Sequence, residues 1–327
     1  MKTLIENFSK QLREAIAIGQ KSGIRSHEPE IRNVLITGLG GSGIGGTIVS
    51  EIVSGECPVP ITVNKDYFLP TFVNENSLVI VCSYSGNTEE TIQAMNAALK
   101  AKAKIVCVTS GGKIADMAGQ NGCDLILIPG GSPPRAALAY SLTQLFFILK
   151  KLELIETDFG KQLSNAADLL DSEDKNIRQE AGLIAEFLFN KIPVLYAADG
   201  YSGVATRFRQ QMNENSKMLC WHHILPEMNH NELVGWAGGR DDLAVVILRN
   251  KTDYQRTQMR MEFSKKVFAK HTPHIKEIWS KGNSVLERSL YLIHLTDWAS
   301  LFLAEKKGID PVEVDIITQL KDTLAKS

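Results

Sequence analysis

TGLGGSGIGG, residues 37–46, follows the apolar run Val34-Leu35-Ile36, and SYSGNTEET, residues 83–91, follows Leu78-Val79-Ile80-Val81. An apolar run that ends in a glycine- or serine-rich turn and opens into a helical segment reads as strand, loop, helix. Each loop is therefore expected at the carboxyl end of a parallel strand, where open α/β sheets bind their ligands. Gly40, Gly41 and Ser42 in the first loop, with Ser83, Ser85 and Thr88 in the second, supply hydroxyls and helix-start amides. Those groups suit a small anion such as phosphate.

Working outward, the first half alternates apolar runs at 34–37, 61–63, 78–83, 104–109 and 125–129 with helical segments at 43–54, 88–101, 112–120 and 134–152. A leading helix over 3–23 precedes them, and 156–190 reads as helix without strand. The alternation restarts at PVLYAAD (193–199), with a helix from about Gly203, then HHILPE (222–227) and LAVVILR (243–249). This is a second, shorter copy of the same plan, with Tyr201-Ser202-Gly203 a faint echo of the first loop. The expected fold is α/β, two parallel sheets flanked by helices in the doubly wound, flavodoxin-like manner. Residues 1–155 form the first domain and 156–327 the second.

Thirty-six Lys plus Arg stand against 37 Asp plus Glu, so there is no basic surplus for nucleic acid. The five cysteines, an odd number, lack CxxC or Cys/His metal spacing and read as reduced. Val285 to Ala304 is broken by Glu287, Arg288, His294 and Asp297 and reads as a buried helix, not a membrane span. The amphipathic start lacks the apolar run of a signal peptide, which gives the expectation of a cytoplasmic protein.

Gly38-Leu39-Gly40-Gly41-Ser42-Gly43 also satisfies GxGxxG, the dinucleotide fingerprint. In that fold an acidic residue closes the second strand, but here the strand ends at Asn64-Lys65 and Asp66 lies late. The hydroxyls of the second loop have no place in a dinucleotide site either. The plain alternative for that loop is a helix cap with Glu89 or Glu90 in the first turn.

The pairing of GLGGSG with S-x-S-G-x-T-x-E-T resembles the sugar isomerase (SIS) domain. Two such halves, with Arg135 after the fifth strand, resemble the bifunctional phosphoglucose/phosphomannose isomerase family. That resemblance implies interconversion of glucose 6-phosphate, and mannose 6-phosphate, with fructose 6-phosphate through a cis-enediol. It assigns the proton-shuttling base to Glu214 in QMNENSK (211–217), with Glu232 as competitor. It assigns ring opening to His230 in PEMNHNELVGW (226–236), contributed across a homodimer, and charge stabilisation to Arg135. Lys321 matches a C-terminal lysine that assists ring opening, with Lys326 competing for that place. The chemistry agrees, since one carboxylate can carry a proton between neighbouring carbons and an imidazole can exchange one with a ring oxygen at neutral pH. The reading expects no metal and no other cofactor, a hexose 6-phosphate as small partner, and neither nucleic acid nor membrane. SIS domains also serve as sugar-phosphate sensors without turnover, so the first-half loops specify ligand class and not reaction.

Overall fold

Strands that are apolar along their whole length need cover on both faces, and the chain supplies it with helices. The computed structural model describes residues 1–26 and 29–324. Helices α1 (Lys2–Glu6) and α2 (Phe8–Lys21) lead into β1 (Asn33–Thr37), α3 (Gly40–Ile52), β2 (Ile61–Asn64) and β3 (Ser77–Ser83). Next come α4 (Glu89–Lys100), β4 (Lys104–Thr109), α5 (Gly112–Gln120) and β5 (Asp124–Leu127). A 3-10 turn, Pro134–Ala136, precedes α6 (Leu138–Lys151), and α7 (Phe159–Leu188) follows. The alternation resumes with β6 (Ile192–Ala198), α8 (Ser202–Glu214), β7 (Trp221–Leu225), α9 (Glu232–Gly235) and β8 (Leu243–Arg249). Helix α10 (Gln255–Phe268), β9 (Ile275–Trp279), α11 (Val285–Lys307) and α12 (Asp315–Leu324) complete it.

The first sheet runs β2-β1-β3-β4-β5 and the second β7-β6-β8-β9, with every pairing parallel. The second sheet is thus the first less one strand. In β3 the period of two sends Leu78, Ile80 and Cys82 to one side and Val79 and Val81 to the other. The first set joins a large core with α2, α3, α6, α7, α8 and α11, whereas the second packs with α4 and α5. On β6, Leu195 and Ala197 face that same large core, and Val194, Tyr196 and Ala198 face the α10 side. The layers run α4/α5, first sheet, six helices, second sheet, α10, so the central helical layer is common to both halves.

Three details differ from the sequence reading. The leading helix breaks at Asn7 into α1 and α2, and the segment from Pro134 begins as a 3-10 turn. Strand β9 and helix α10 were not legible: β9 is an edge strand with Lys276 and Glu277 at its centre, and α10 buries only Met261, Ser264 and Phe268. Helix α11 is buried as expected, capped by the Ser284 hydroxyl on the Glu287 amide and closed by Gly308 at φ 66°. No described helix is long and apolar enough to cross a membrane.

The polar contacts that join the halves include two made by α8. Glu51, near the end of α3, accepts the Gly203 amide at 3.0 Å with each carboxylate oxygen, at the start of α8. Arg207 on α8 donates to Asp297 on α11 at 2.6 Å and to the Arg135 carbonyl at 3.0 Å, with both side chains buried. A buried charge that loses its partner is left uncompensated. Asp297→Ala is expected to lower stability by about 3–5 kcal/mol in chemical denaturation, and a loss under 1 kcal/mol would contradict the account.

Burial pushes the Glu51 carboxyl up to about 7, opposed by the Gly203 amide, with Asp199 raising it further and Lys65 lowering it. The unfolded chain ionises Glu51 at its ordinary carboxylate pKa and the folded chain only near 7. Folding is therefore favoured with Glu51 protonated, and stability falls as pH rises from about 4.5 to about 7. Glu51→Gln is expected to gain on the unsubstituted protein by roughly 2 kcal/mol between pH 5 and pH 8. Melting curves at the two pH values check this, and a pH-independent difference refutes it.

Candidate active site

The strand order reverses between β1 and β3, so α3 and α4 begin side by side at a topological switch point. The turn after β1 is tight enough to demand glycine. A Cβ on Gly38 would stand 2.6 Å from the Cys82 carbonyl oxygen, and one on Gly43 would stand 2.2 Å from the Gly38 oxygen. Gly40 sits at φ 53° and Gly86 at φ 70°, left-handed positions that glycine adopts without strain. The Ser42 hydroxyl accepts the Tyr84 amide at 3.1 Å, which ties the two loops together.

The capping alternative for the second loop does not hold. Ser83 donates to the Thr88 hydroxyl at 3.0 Å and Ser85 accepts the Asn87 amide at 3.3 Å. Neither α3 nor α4 has a side-chain cap. Their first amides, at Gly40 and Gly41 and at Glu89 to Thr91, have no acceptor among the described residues. Two uncapped helix starts with hydroxyls between them suit a small anion.

Arg135 lies over this site. It sits in the 3-10 turn after β5, only 4% exposed, and a Cβ on Gly41 would come within 3.3 Å of its Cα. Its Nε donates to Asn215 Oδ1 at 2.9 Å and its Nη1 to Glu214 Oε2 at 3.3 Å. Its Nη2 donates to the carbonyls of Pro311 at 2.6 Å and Val312 at 3.2 Å. Burial lowers the Arg135 pKa, opposed by Glu214 and Asp310, and the guanidinium stays charged. Glu214 comes from the other half. The start of α8 meets the end of α3 through Gly203 and Glu51, so the two helices run antiparallel. The last residue of α8 is thereby carried back to the start of α3. Asn215 is locked in turn by donating to Ser300 at 2.9 Å.

The competitor Glu232 is fully engaged. It accepts from Tyr196 at 2.5 Å, from Trp221 at 3.1 Å, and lies 2.7 Å from His223 Nδ1. The adjacent His222 points to the opposite face of β7 and meets Thr206 at 3.0 Å. The three partners of Glu232 all belong to the second half, and none of them is Arg135. Trp236 is buried and donates to Tyr196 at 2.9 Å.

His230 and Lys321 do not join the cluster within one chain. His230 ends an exposed 3-10 turn after edge strand β7, with no side-chain hydrogen bond among the described residues. Lys321 lies on α12, which buries no residue, and Lys326 falls outside the described residues. Sequence reasoning missed Asn215, Lys217, Arg207 and the 310–313 segment. The first two stand inside QMNENSK and were legible as a string, but not as partners of Arg135.

The profile of the bacterial phospho-glucose isomerase C-terminal SIS domain matches residues 177–324. The chain is 37% identical over 332 aligned positions to a bifunctional phosphoglucose/phosphomannose isomerase of Caldicellulosiruptor bescii, covering 98% of each. It is 37% identical to the Aquifex aeolicus protein of the same name, covering 90% of this chain and 91% of that one. Among solved structures it is similar to the C-terminal domain of glucosamine-fructose-6-phosphate aminotransferase from Francisella tularensis, with a TM-score of 0.78 at 15% identity, covering 95% and 97%. At that identity the likeness concerns the fold, two SIS units of parallel sheet and helix. With near-complete coverage at 37% identity, the chain belongs to the bifunctional phosphoglucose/phosphomannose isomerase family.

Proposed function

We propose that this protein interconverts glucose 6-phosphate, and mannose 6-phosphate, with fructose 6-phosphate, with Glu214 as the base. The observation that carries the reading is the Arg135–Glu214 contact at 3.3 Å beside an uncapped pair of helix starts. The phosphate is held by Ser42, Ser83, Ser85 and Thr88 together with the amides at Gly40 and Gly41. Glu214 takes the C2 proton of the open-chain aldose and returns it to C1 of the cis-enediolate. Arg135, fixed on its other edges, stabilises the oxyanion that develops on the sugar. The proton shuttle itself requires neither metal nor organic cofactor. Residues 1–155 serve as the phosphate-binding domain and 156–327 as the domain that supplies the base.

Glu214→Gln is expected to retain sugar-phosphate binding and lose turnover by roughly 10²–10⁴-fold, the usual share of a general base. Solvent deuterium uptake at C2 should disappear with it. Uptake that persists in the variant, or an unsubstituted protein that forms no fructose 6-phosphate from either aldose, would overturn the assignment.

The working unit we infer is a cytoplasmic homodimer in which His230 of the partner subunit opens the sugar ring. Support comes from exposed apolar side chains: Val234, four residues after His230, is 78% exposed, and Leu219, before β7, is 89% exposed. Helix α12 likewise presents Ile316 and Leu320, 80% and 60% exposed. Lys321 on that helix assists ring opening. If the histidine acts in trans, mixing inactive Glu214→Gln and His230→Ala proteins regenerates one intact site in each mixed dimer. After subunit exchange about a quarter of full activity should return, as statistics of a two-fold dimer require. A mixture that stays inactive after exchange has been verified argues for action in cis.

A further inference from the structure

Lys217 follows Glu214 by three residues and sits at φ 49°, backbone that a lysine adopts rarely. Its ammonium donates to three carbonyls: Glu214 at 2.8 Å, Asp310 at 2.9 Å and Glu313 at 2.7 Å. The first is an orphan carbonyl at the end of α8, where a cation is favoured. The other two bracket the connector between α11 and α12. Arg135 Nη2 takes the two carbonyls between them, Pro311 and Val312. Four consecutive carbonyls, 310–313, therefore all accept from two cations, one on each side of Glu214. The ammonium has three hydrogens and all three are used.

We propose that Lys217 is a positioning residue for the reaction, acting through the 310–313 strap on the Arg135–Glu214 contact. With the strap held by Lys217, the Nη2 edge of Arg135 is occupied by backbone oxygens and only Nη1 faces the Glu214 carboxylate, at 3.3 Å. Without Lys217 the strap is fastened by Arg135 alone. A guanidinium that loses two acceptors turns to the nearest carboxylate and pairs with it in bidentate fashion. Glu214 then becomes a weaker base. The phosphate loops are tied to one another through Ser42 and Tyr84 and, among the described residues, make no hydrogen bond to the strap, so they keep their geometry. The proposal rests on Glu214 being the base, as inferred above.

The plain alternative is that Lys217 only caps α8, and Lys307 provides the control. Lys307 donates to the Ser216 carbonyl at 2.8 Å, at the same helix end, and makes no hydrogen bond to the strap. Lys217→Met and Lys307→Met are compared for melting temperature, kcat, KM and amide exchange over 310–318. The proposal expects Lys217→Met to lower kcat by about tenfold or more with KM changed less than about twofold, the signature of a contact felt mainly in the transition state. Exchange in the strap should accelerate in this variant and not in Lys307→Met, whose kcat stays within about twofold. Lys217→Arg, which keeps the charge, should recover part of the loss, and it carries the comparison if the methionine variant fails to fold. Equal kcat losses in both methionine variants, or unchanged strap exchange in Lys217→Met, overturn the proposal. An unsubstituted protein without isomerase activity overturns the functional reading instead, while strap exchange still tests the Lys217 contact.

Discussion

Everything at the site depends on how closely α3 and α8 lie against each other. A Cβ on Gly203 would stand 2.7 Å from Ile48 Cγ1 and 3.0 Å from its amide nitrogen, so the Gly203 backbone sits directly against the backbone and side chain of Ile48 at that crossing. Close antiparallel packing fixes more than a distance. It determines that the end of one helix overlies the start of the other, with Glu51 one residue before the end of α3 and Glu214 the last residue of α8. The Glu214 carboxylate is therefore delivered from the second half to loops built by the first, without any segment of irregular backbone having to reach across. The buried ion pair of Arg207 with Asp297 reinforces the arrangement, because Arg207 also holds the carbonyl of the residue that faces Glu214.

Arg135 is where packing becomes electrostatics. Its burial would be costly for an isolated cation, and each of its donor nitrogens accordingly has an oxygen partner: a carboxylate, an amide oxygen and two backbone carbonyls. Only one of those partners carries a charge. The guanidinium is thus oriented mainly by neutral dipoles, which leaves its charge available to an oxyanion in the site.

Most of the strands and both loops at the ends of β1 and β3 were legible in the sequence because they depend on local signals: apolar runs, glycine at left-handed or crowded positions, hydroxyls at helix starts. The second copy was legible for the same reason, down to LAVVILR as β8. Strand β9 was not, since an edge strand with one poorly covered face needs no apolar run. Glu214 could be picked out only through the resemblance of its motif. Its separation from Glu232 became physical once the structure gave Glu232 three partners. What no local signal carries is the bridging of distant positions. Arg135 and Pro311 lie 176 residues apart in sequence, and nothing in either neighbourhood announces the other.

Glu51 and Glu214 occupy matching ends of matching helices, yet they have opposite fates. Glu51 folds onto the start of α8 and uses its amide, while Glu214 is detained by Arg135, and the first amides of α3 have no acceptor among the described residues. An unsatisfied helix start thus has two uses in this chain, as a receptor for an outside anion or as the socket of an internal fastener. The second sheet has four strands, and beyond its edge strand β9 the arginine of α11, Arg288, donates to Tyr201 and to the carbonyls of Gly282 and Asn283, not to Glu51. Matching helices in a repeated plan thus meet different ends in this chain, one start left open toward Arg135 and Glu214 and the other closed by a carboxylate from the opposite half.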